Sequence, residues 1–383
     1  MTQTLESAPS GVQVPAQGRA DRTRSFSVDA FPAVTGREEE WRFTPVRKLA
    51  DLLEPASQTA ALTFGETLPD GVTVETIDLA AAQAHGVLAP EDRPAALAAA
   101  HAAGVRHYHL ADGVELAEPV IVHADGNDAT VHGHVLITVG RHSKATFVLE
   151  HEGRARYSEL LSVVVGDGAD LTLASLQLWE DGSVHLGQHD ALVGRDAKYK
   201  HIAVSLGGDI VRLNSNVRYS GPGGEAEMLG LYFADAGQHL EHRTYVDHNT
   251  PKATSNVMYK GALQGKDARS VWVGDVLIRP EALGIDTYEL NRNLILTDGA
   301  RADSVPNLEI ETGDIEGAGH ASSTGRFDEE HLFYLMSRGI GESEARRLVV
   351  RGFFNEVIQK IGVEEVESVL HDRIEEELAR SVL

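Results

Sequence analysis

Imidazole is the main chemical resource of this chain. It carries 18 histidines and 58 acidic residues but no cysteine. Disulfides, thiol nucleophiles, thiolate zinc sites and a self-contained four-cysteine iron–sulfur site are therefore excluded. His239-Leu240-Glu241-His242, followed by Asp247-His248, has the residue types of a metal cluster. On a strand, however, positions three apart point to opposite faces, so His239 and His242 are not expected to converge. All three histidines are read as surface or rung-edge residues. His132 and His134 share a face, as do His107 and His109, but neither pair has a third ligand nearby. His320 differs in its surroundings. Asp314-Ile315-Glu316-Gly317-Ala318-Gly319-His320-Ala321-Ser322-Ser323-Thr324-Gly325 is dominated by small residues, which admit a second backbone and leave an imidazole uncovered. His320 is thus a candidate ligand or interface group, with a solvent-facing histidine as the alternative.

Enzyme signatures are missing. The chain has no G-x-x-x-x-G-K-[ST] loop, no G-x-S-x-G elbow, no H-E-x-x-H and no strand-to-helix G-x-G-x-x-G. Gly265-Lys266 lacks both the spacing and the Ser/Thr of a phosphate loop. A formal charge of −24 disfavours nucleic acid and anionic membrane surfaces as partners. The first 30 residues contain no apolar export core, and no apolar run approaches the ~18 residues of a span. The expectation is a soluble, cytoplasmic protein.

Four regions position these residues. Residues 1–30, rich in Ser, Ala, Gln and Gly, read as a flexible tail. Residues 31–105 read as a small helical unit, with short pieces cut at Pro55, Pro90 and Pro94. From 106 to 325 short β-branched runs such as Val135-Leu136-Ile137-Thr138-Val139 and Val271-Trp272-Val273 alternate with Gly, Asp and Asn, which predicts strands. A turn with Gly before Ala recurs at Ala145, Ala169, Ala197, Ala226, Ala268 and Ala300, at intervals of 24, 28, 29, 42 and 32 residues. Such a period suits the coils of a β-solenoid. An antiparallel sandwich of regularly spaced hairpins is the alternative, although Asn-Gly hairpin signals are missing. Residues 326–383 read as three amphipathic helices forming a separate docking-sized unit. The first is capped by Asp328 and stopped by Gly339. The second carries Ala345, Leu348, Val349, Gly352, Phe353, Val357, Ile358 and Ile361, and the third Val363, Val366, Leu370, Ile374 and Leu378.

Residues 314–361, DIEGAGHASSTGRFDEEHLFYLMSRGIGESEARRLVVRGFFNEVIQKI, resemble the closing signature of the SufB/SufD family of iron–sulfur cluster assembly proteins. Upstream, Arg243-Thr244-Tyr245-Val246-Asp247-His248, Ser255, Tyr259-Lys260-Gly261, Ala268-Arg269-Ser270-Val271, Asn291-Arg292-Asn293 and Pro306-Asn307-Leu308-Glu309-Ile310 match as well. So does Glu40-Trp41-Arg42-Phe43-Thr44, more loosely. SufB-like members carry thiols that accept sulfur. A chain without any thiol resembles SufD instead. Some SufD proteins have a cysteine two residues before the histidine, where Ala318 stands here.

The resemblance implies a mainly β fold, a right-handed parallel β-helix with helical ends. It implies a non-catalytic scaffold that pairs with a SufB-like paralogue through the β-helix and docks a SufC-like ABC ATPase through the C-terminal helices. No cofactor is expected to be held stably by this chain alone; iron or a nascent cluster would sit at the SufB interface, with His320 as its ligand. Phe333, Tyr334, Ser337, Arg338, Gly339 and Phe353 would form the ATPase contact, since aromatics and Arg are favoured interface anchors. A homodimer working without SufB is a nearer rival than a β-helix polysaccharide lyase, which would normally need an export signal.

Overall fold

The computed structural model describes residues 22–55, 60–327 and 329–380. The β-branched runs form two nine-stranded sheets. One contains β1 (Thr63–Thr67), β4 (Val120–Asp125), β6 (Lys144–Glu152), β8 (Asp170–Gln177), β10 (Lys198–Ser205), β12 (Glu225–Ala234), β14 (Thr254–Leu263), β16 (Ile285–Ile295) and β18 (Ile315–Arg326). The facing sheet contains β2 (Val72–Ile77), β3 (Val105–Leu110), β5 (Thr130–Val139), β7 (Arg156–Val165), β9 (Val184–Val193), β11 (Ile210–Tyr219), β13 (His239–His248), β15 (Arg269–Ile278) and β17 (Arg301–Ile310). The chain alternates between the sheets, and each strand pairs in parallel with the strand two places on. Only β1 with β4 and β2 with β3 pair antiparallel. This is a β-solenoid of about eight turns, not a sandwich of hairpins.

Lys144, Asp170, Lys198, Glu225, Thr254 and Asp286 stand one above another, so successive coils take 26, 28, 27, 29 and 32 residues. The expected interval of 42 mixes the two sheets. Ala226 belongs to β12, whereas Ala268 precedes β15 on the facing sheet, and the missing member is Ala253 before β14.

Inward-facing residues fill the space between the sheets with one continuous apolar cluster. The outer faces are covered too. Trp41, Leu49, Leu52 and Leu53 pack on Val184, Leu186 and Ile210, while Ala95, Ala98 and Ala99 pack on Leu160. Strands buried on both faces lose the polar–apolar alternation of a half-exposed sheet. For that reason β13, HLEHRTYVDH, is buried along its whole length despite its composition.

The N-terminal region departs from the expected helical unit. It contains α1 (Leu79–Ala84) and α2 (Arg93–His101), capped by Asp78 and Asp92 through bonds of 2.8 and 3.0 Å from the amides of Ala81 and Ala95. Between residues 60 and 77, however, Thr63-Phe64-Gly65-Glu66-Thr67 and the alternating Val and Thr from Val72 make β1 and β2, which close the first coil. Of the expected tail, residues 1–21 lie outside the described residues. Residues 22–30 are tied down: the Ser25 amide donates to the Pro90 carbonyl at 2.9 Å, and Arg24 pairs with Glu91.

The C-terminal helices are α3 (Glu329–Ser337), α4 (Glu342–Ile361) and α5 (Glu364–Arg380). The expected cap Asp328 lies outside the described residues. Gly339, at φ +87°, closes the turn after α3. Val350, Phe354, Val357, Ile358, Val366, Leu370, Ile374 and Leu378 pack on Ala174, Leu176, Ile202, Val204, Leu229, Leu231 and Phe233. The helices are thus an outer layer of the solenoid rather than a detached unit. At ~1.5–3 kcal/mol for each large apolar side chain covered, removing α4 and α5 would strip the body of much of its support.

Candidate functional site

The two sheets end differently. At one end the terminal strands β1 and β2 have five and six residues. At the other end β18 and β17 are the last strands of their sheets and have 12 and 10 residues, most of them exposed or half-buried. One long edge of each sheet therefore offers unpaired backbone donors and acceptors side by side. Such edges are templates for strand addition by another chain.

His320 lies on this open end. The register Leu173↔His201↔Met228↔Val257↔Glu289↔His320 runs up one column of side chains. Its earlier members face the lumen and are buried, so His320 continues an inward-facing column. It is exposed because, among the described residues, no coil lies beyond β18. In the same coil, Asn291 and Asn293 bond to Tyr232, at 3.0 and 2.6 Å. Asn293 also donates to Ser304 at 3.1 Å, and Ser304 donates to Asn291 at 2.6 Å. The Asn-x-Asn motif thus joins the lumen to β17.

The second surface is α3. Phe333 and Tyr334 are 74% and 56% exposed, with Met336 and Leu348 exposed beside them. The Ser337 hydroxyl donates to the Tyr334 carbonyl at 2.7 Å, and the Arg338 guanidinium lies 5.2 Å from the Tyr334 ring centre. Five of the six expected contact residues are therefore gathered around this patch. Phe353 is separate. It is half-buried, its ring lies 4.8 Å from Lys260 Nζ, and its carbonyl accepts from that ammonium at 2.9 Å. Phe353 fastens α4 to β14.

A third assembly lies inside the solenoid. Glu159, fully buried, receives His151 Nε2 at 3.2 Å on one carboxylate oxygen. On the other it receives His189 Nε2 at 3.1 Å, and His185 Nε2 lies 3.3 Å away. Burial alone would raise its pKa. The field of His151 and the hydrogen bonds from the three imidazoles overcome that and hold it well below the ordinary carboxylate range. Burial pushes His185 down to about 4, so that ring is neutral. His189 Nδ1 meets His201 Nε2 at 3.2 Å. Farther along, His242 stacks on Tyr232 and bonds to Ser205 at 3.0 Å. His248 bonds to Ser255 at 2.9 Å.

None of these lumen groups except His242 and His248 was singled out in the sequence, and those two were expected at the surface. They are buried, as are His239, His132, His134 and His107. His239 and His242 do face opposite ways. His239 bonds to Glu241 under the N-terminal layer, where Thr44 also donates to Glu241 at 2.7 Å. Burial would raise the pKa of Glu241, but His239, Arg212 and Arg243 hold it well below its ordinary value. One signal of the lumen cluster was present: Gly133 and Gly187, the in-register neighbours of Glu159, are small where the rings of Tyr157, His185 and His189 pack around it.

The fold is a parallel β-solenoid whose open end carries an exposed imidazole and whose one face carries a helical layer. Its family model, described as the SufBD core domain of the SUF iron–sulfur cluster assembly system, matches residues 121–353. The chain belongs to the SufBD family and has a role in iron–sulfur cluster assembly. It is 50% identical to an iron–sulfur cluster assembly SufBD family protein of Mycobacterium leprae, over 92% of this chain and 93% of that one. It is 30% identical to the iron–sulfur cluster assembly protein SufD of Bacillus subtilis, over 82% of this chain and 76% of that one. To SufD of Escherichia coli it is 26% identical, over 70% and 62% of the two chains. Within the family it is most like SufD. Among the described residues no helix is long and apolar enough to cross a membrane.

Proposed function

We propose that this chain is the non-catalytic, SufD-like scaffold of a cytoplasmic complex with a SufB-like paralogue and a SufC-like ABC ATPase. The observation that carries the reading is the open end, where β17 and β18 leave two long edges beside one another. A paralogue with the same unfinished coils would continue both sheets. The absence of any thiol leaves sulfur acceptance to that partner. The exposed Phe333, Tyr334 and Met336 on α3 fit the ATPase contact, since a hydrophobic patch of this kind marks a protein partner.

His320 in this reading is a ligand for iron, the cargo, where the two solenoids meet. Imidazole suits iron and can stand in for thiolate at a cluster. It binds metal only when neutral, so iron retention should fall as the medium is made acid. Co-purification from the native host tests the complex: both partners in the eluate support it, and a lone homodimer supports the rival. A His320→Ala complex that assembles yet rebuilds clusters at the unaltered rate would remove His320 from the ligand set.

A further inference from the structure

We infer that the lumen cluster of Glu159, His151 and His185 is a binding site for one first-row divalent cation, of the Fe2+ or Zn2+ type, held by this chain alone. The inference does not depend on the partner reading above, and it concerns a place several coils away from His320.

Geometry is the first support. The donor atoms of these three side chains lie within 4.8 Å of one another, and all three residues are fully buried. Metal–nitrogen and metal–oxygen bonds of ~2.0–2.1 Å in a tetrahedral site place neighbouring donors about 3.3 Å apart. His151 Nε2 lies 3.2 Å from one oxygen of Glu159 and His185 Nε2 3.3 Å from the other, so a small rotation of the carboxylate brings one oxygen toward both rings. Two imidazoles and a carboxylate without thiolate select borderline first-row ions over calcium or magnesium.

Charge is the second. Among the described residues Glu159 forms ion pairs only with histidines, and none with Lys or Arg. In a dry interior a divalent cation would take over the compensation that the field of His151 now gives this carboxylate. Space and access are the third. A side chain on Gly187 would meet Leu213 at 2.7 Å, His185 Nε2 at 3.2 Å and His189 Nε2 at 3.4 Å, so the glycine lets these rings and Glu159 pack together. Tyr157, whose hydroxyl is 3.4 Å from Glu159, also lines a cavity of about 50 Å³ shared with Phe64, Gly133 and His134. Movement of the Tyr157 ring would connect that cavity to the cluster.

Trp179 opposes the ion and thereby supplies a test. Its indole N–H donates to His185 Nδ1 at 3.2 Å. That bond requires a lone pair on Nδ1, which places the proton of the neutral ring on Nε2, the atom that must bind the metal. Occupation therefore shifts the proton to Nδ1 and breaks the contact with Trp179. Replacing Trp179 with Phe keeps an aromatic ring and removes the obstacle.

The test uses the untagged full chain, stripped with a chelator and titrated with Co2+, followed by visible absorption, tryptophan fluorescence and elemental analysis. The expected result is one Co2+ per chain, with the visible bands of a low-coordinate ion and a change in tryptophan emission. Glu159→Gln and His185→Gln should weaken binding ~100-fold, His320→Ala should leave it unchanged, and Trp179→Phe should tighten it about 10-fold, the scale of a changed outer-shell contact. Circular dichroism checks that each variant folds. If the Glu159 or His185 variants do not fold, the Trp179→Phe comparison decides. The inference is overturned if neither wild type nor Trp179→Phe takes up stoichiometric Co2+, if Trp179→Phe binds no tighter, or if His320→Ala abolishes the uptake.

Discussion

Tyr232 and Tyr259 are fully buried in neighbouring coils, and each stacks in register against a glycine of the other strand: Gly230↔Tyr259 and Tyr232↔Gly261. A β-carbon on Gly261 would come within 1.8 Å of the Tyr232 ring, and one on Gly230 within 1.9 Å of the Tyr259 ring. The Tyr232 ring cannot move away without disturbing the lumen network, because its hydroxyl is bonded to Asn293. Gly261→Ala should therefore destabilise the fold by ~1–3 kcal/mol through overpacking, read as a lower midpoint in urea. An unchanged midpoint would show that the ring has room to spare. At this scale the sequence was only partly legible. The small-residue setting of His320 pointed to an exposed group. The lumen imidazoles did not stand out, because His151, Glu159, His185 and His189 meet only once the register between coils is known.

At the scale of the element, α5 was readable and α4 nearly so. Val363, Val366, Leu370, Ile374 and Leu378 are all buried, as their spacing predicts. On α4 the buried stripe runs through Val350 and Phe354 instead of Val349 and Phe353. Apolar residues stand at both pairs of positions, so periodicity cannot choose between them; contact with Phe233 and Leu231 does. Strands β1 and β2 were missed because runs as short as TFGET and VTVETI, beside Pro and Gly, look like connecting chain until a neighbouring strand pairs with them. Helix α3 carries a prediction of its own. Phe333→Ala with Tyr334→Ala removes exposed rings, so thermal stability should hold within about 0.5 kcal/mol. Affinity for the proposed SufC-like ATPase, measured by calorimetry, should fall at least ~10-fold, as expected for aromatic anchors. Equal affinity would place the ATPase contact elsewhere.

The whole molecule is a solenoid with an apolar core that also buries imidazoles, clad on both outer faces, and the burial of those imidazoles sets its response to acid. Burial lowers the pKa values of His132, His134 and His185 to about 4, and of His242 and His248 to about 3. In the unfolded chain each titrates near ~6.5. Between those values the unfolded state binds more protons, so stability rises with pH across that window and is lost as pH falls from ~6.5 towards 4. Urea unfolding at pH 5 should show a stability several kcal/mol below that at pH 7, at ~1 kcal/mol or more for each imidazole. A flat profile would mean that the histidines are not held neutral. The repeat pattern and the resemblance together foretold the solenoid. The cladding was not legible, because it brings together segments more than a hundred residues apart, as Arg212 does with Trp41.

The account stands or falls on whether another chain extends β17 and β18. Because the protein has no cysteine, Ser323→Cys on exposed β18 would introduce its only thiol. Labelled there with a photoreactive group and mixed with the SufB-like and SufC-like proteins, the chain should cross-link to the SufB-like paralogue, and the adduct should disappear when that paralogue is omitted. Cross-linking only to a second copy of itself, or to no protein while the complex remains assembled, would contradict pairing through the open end.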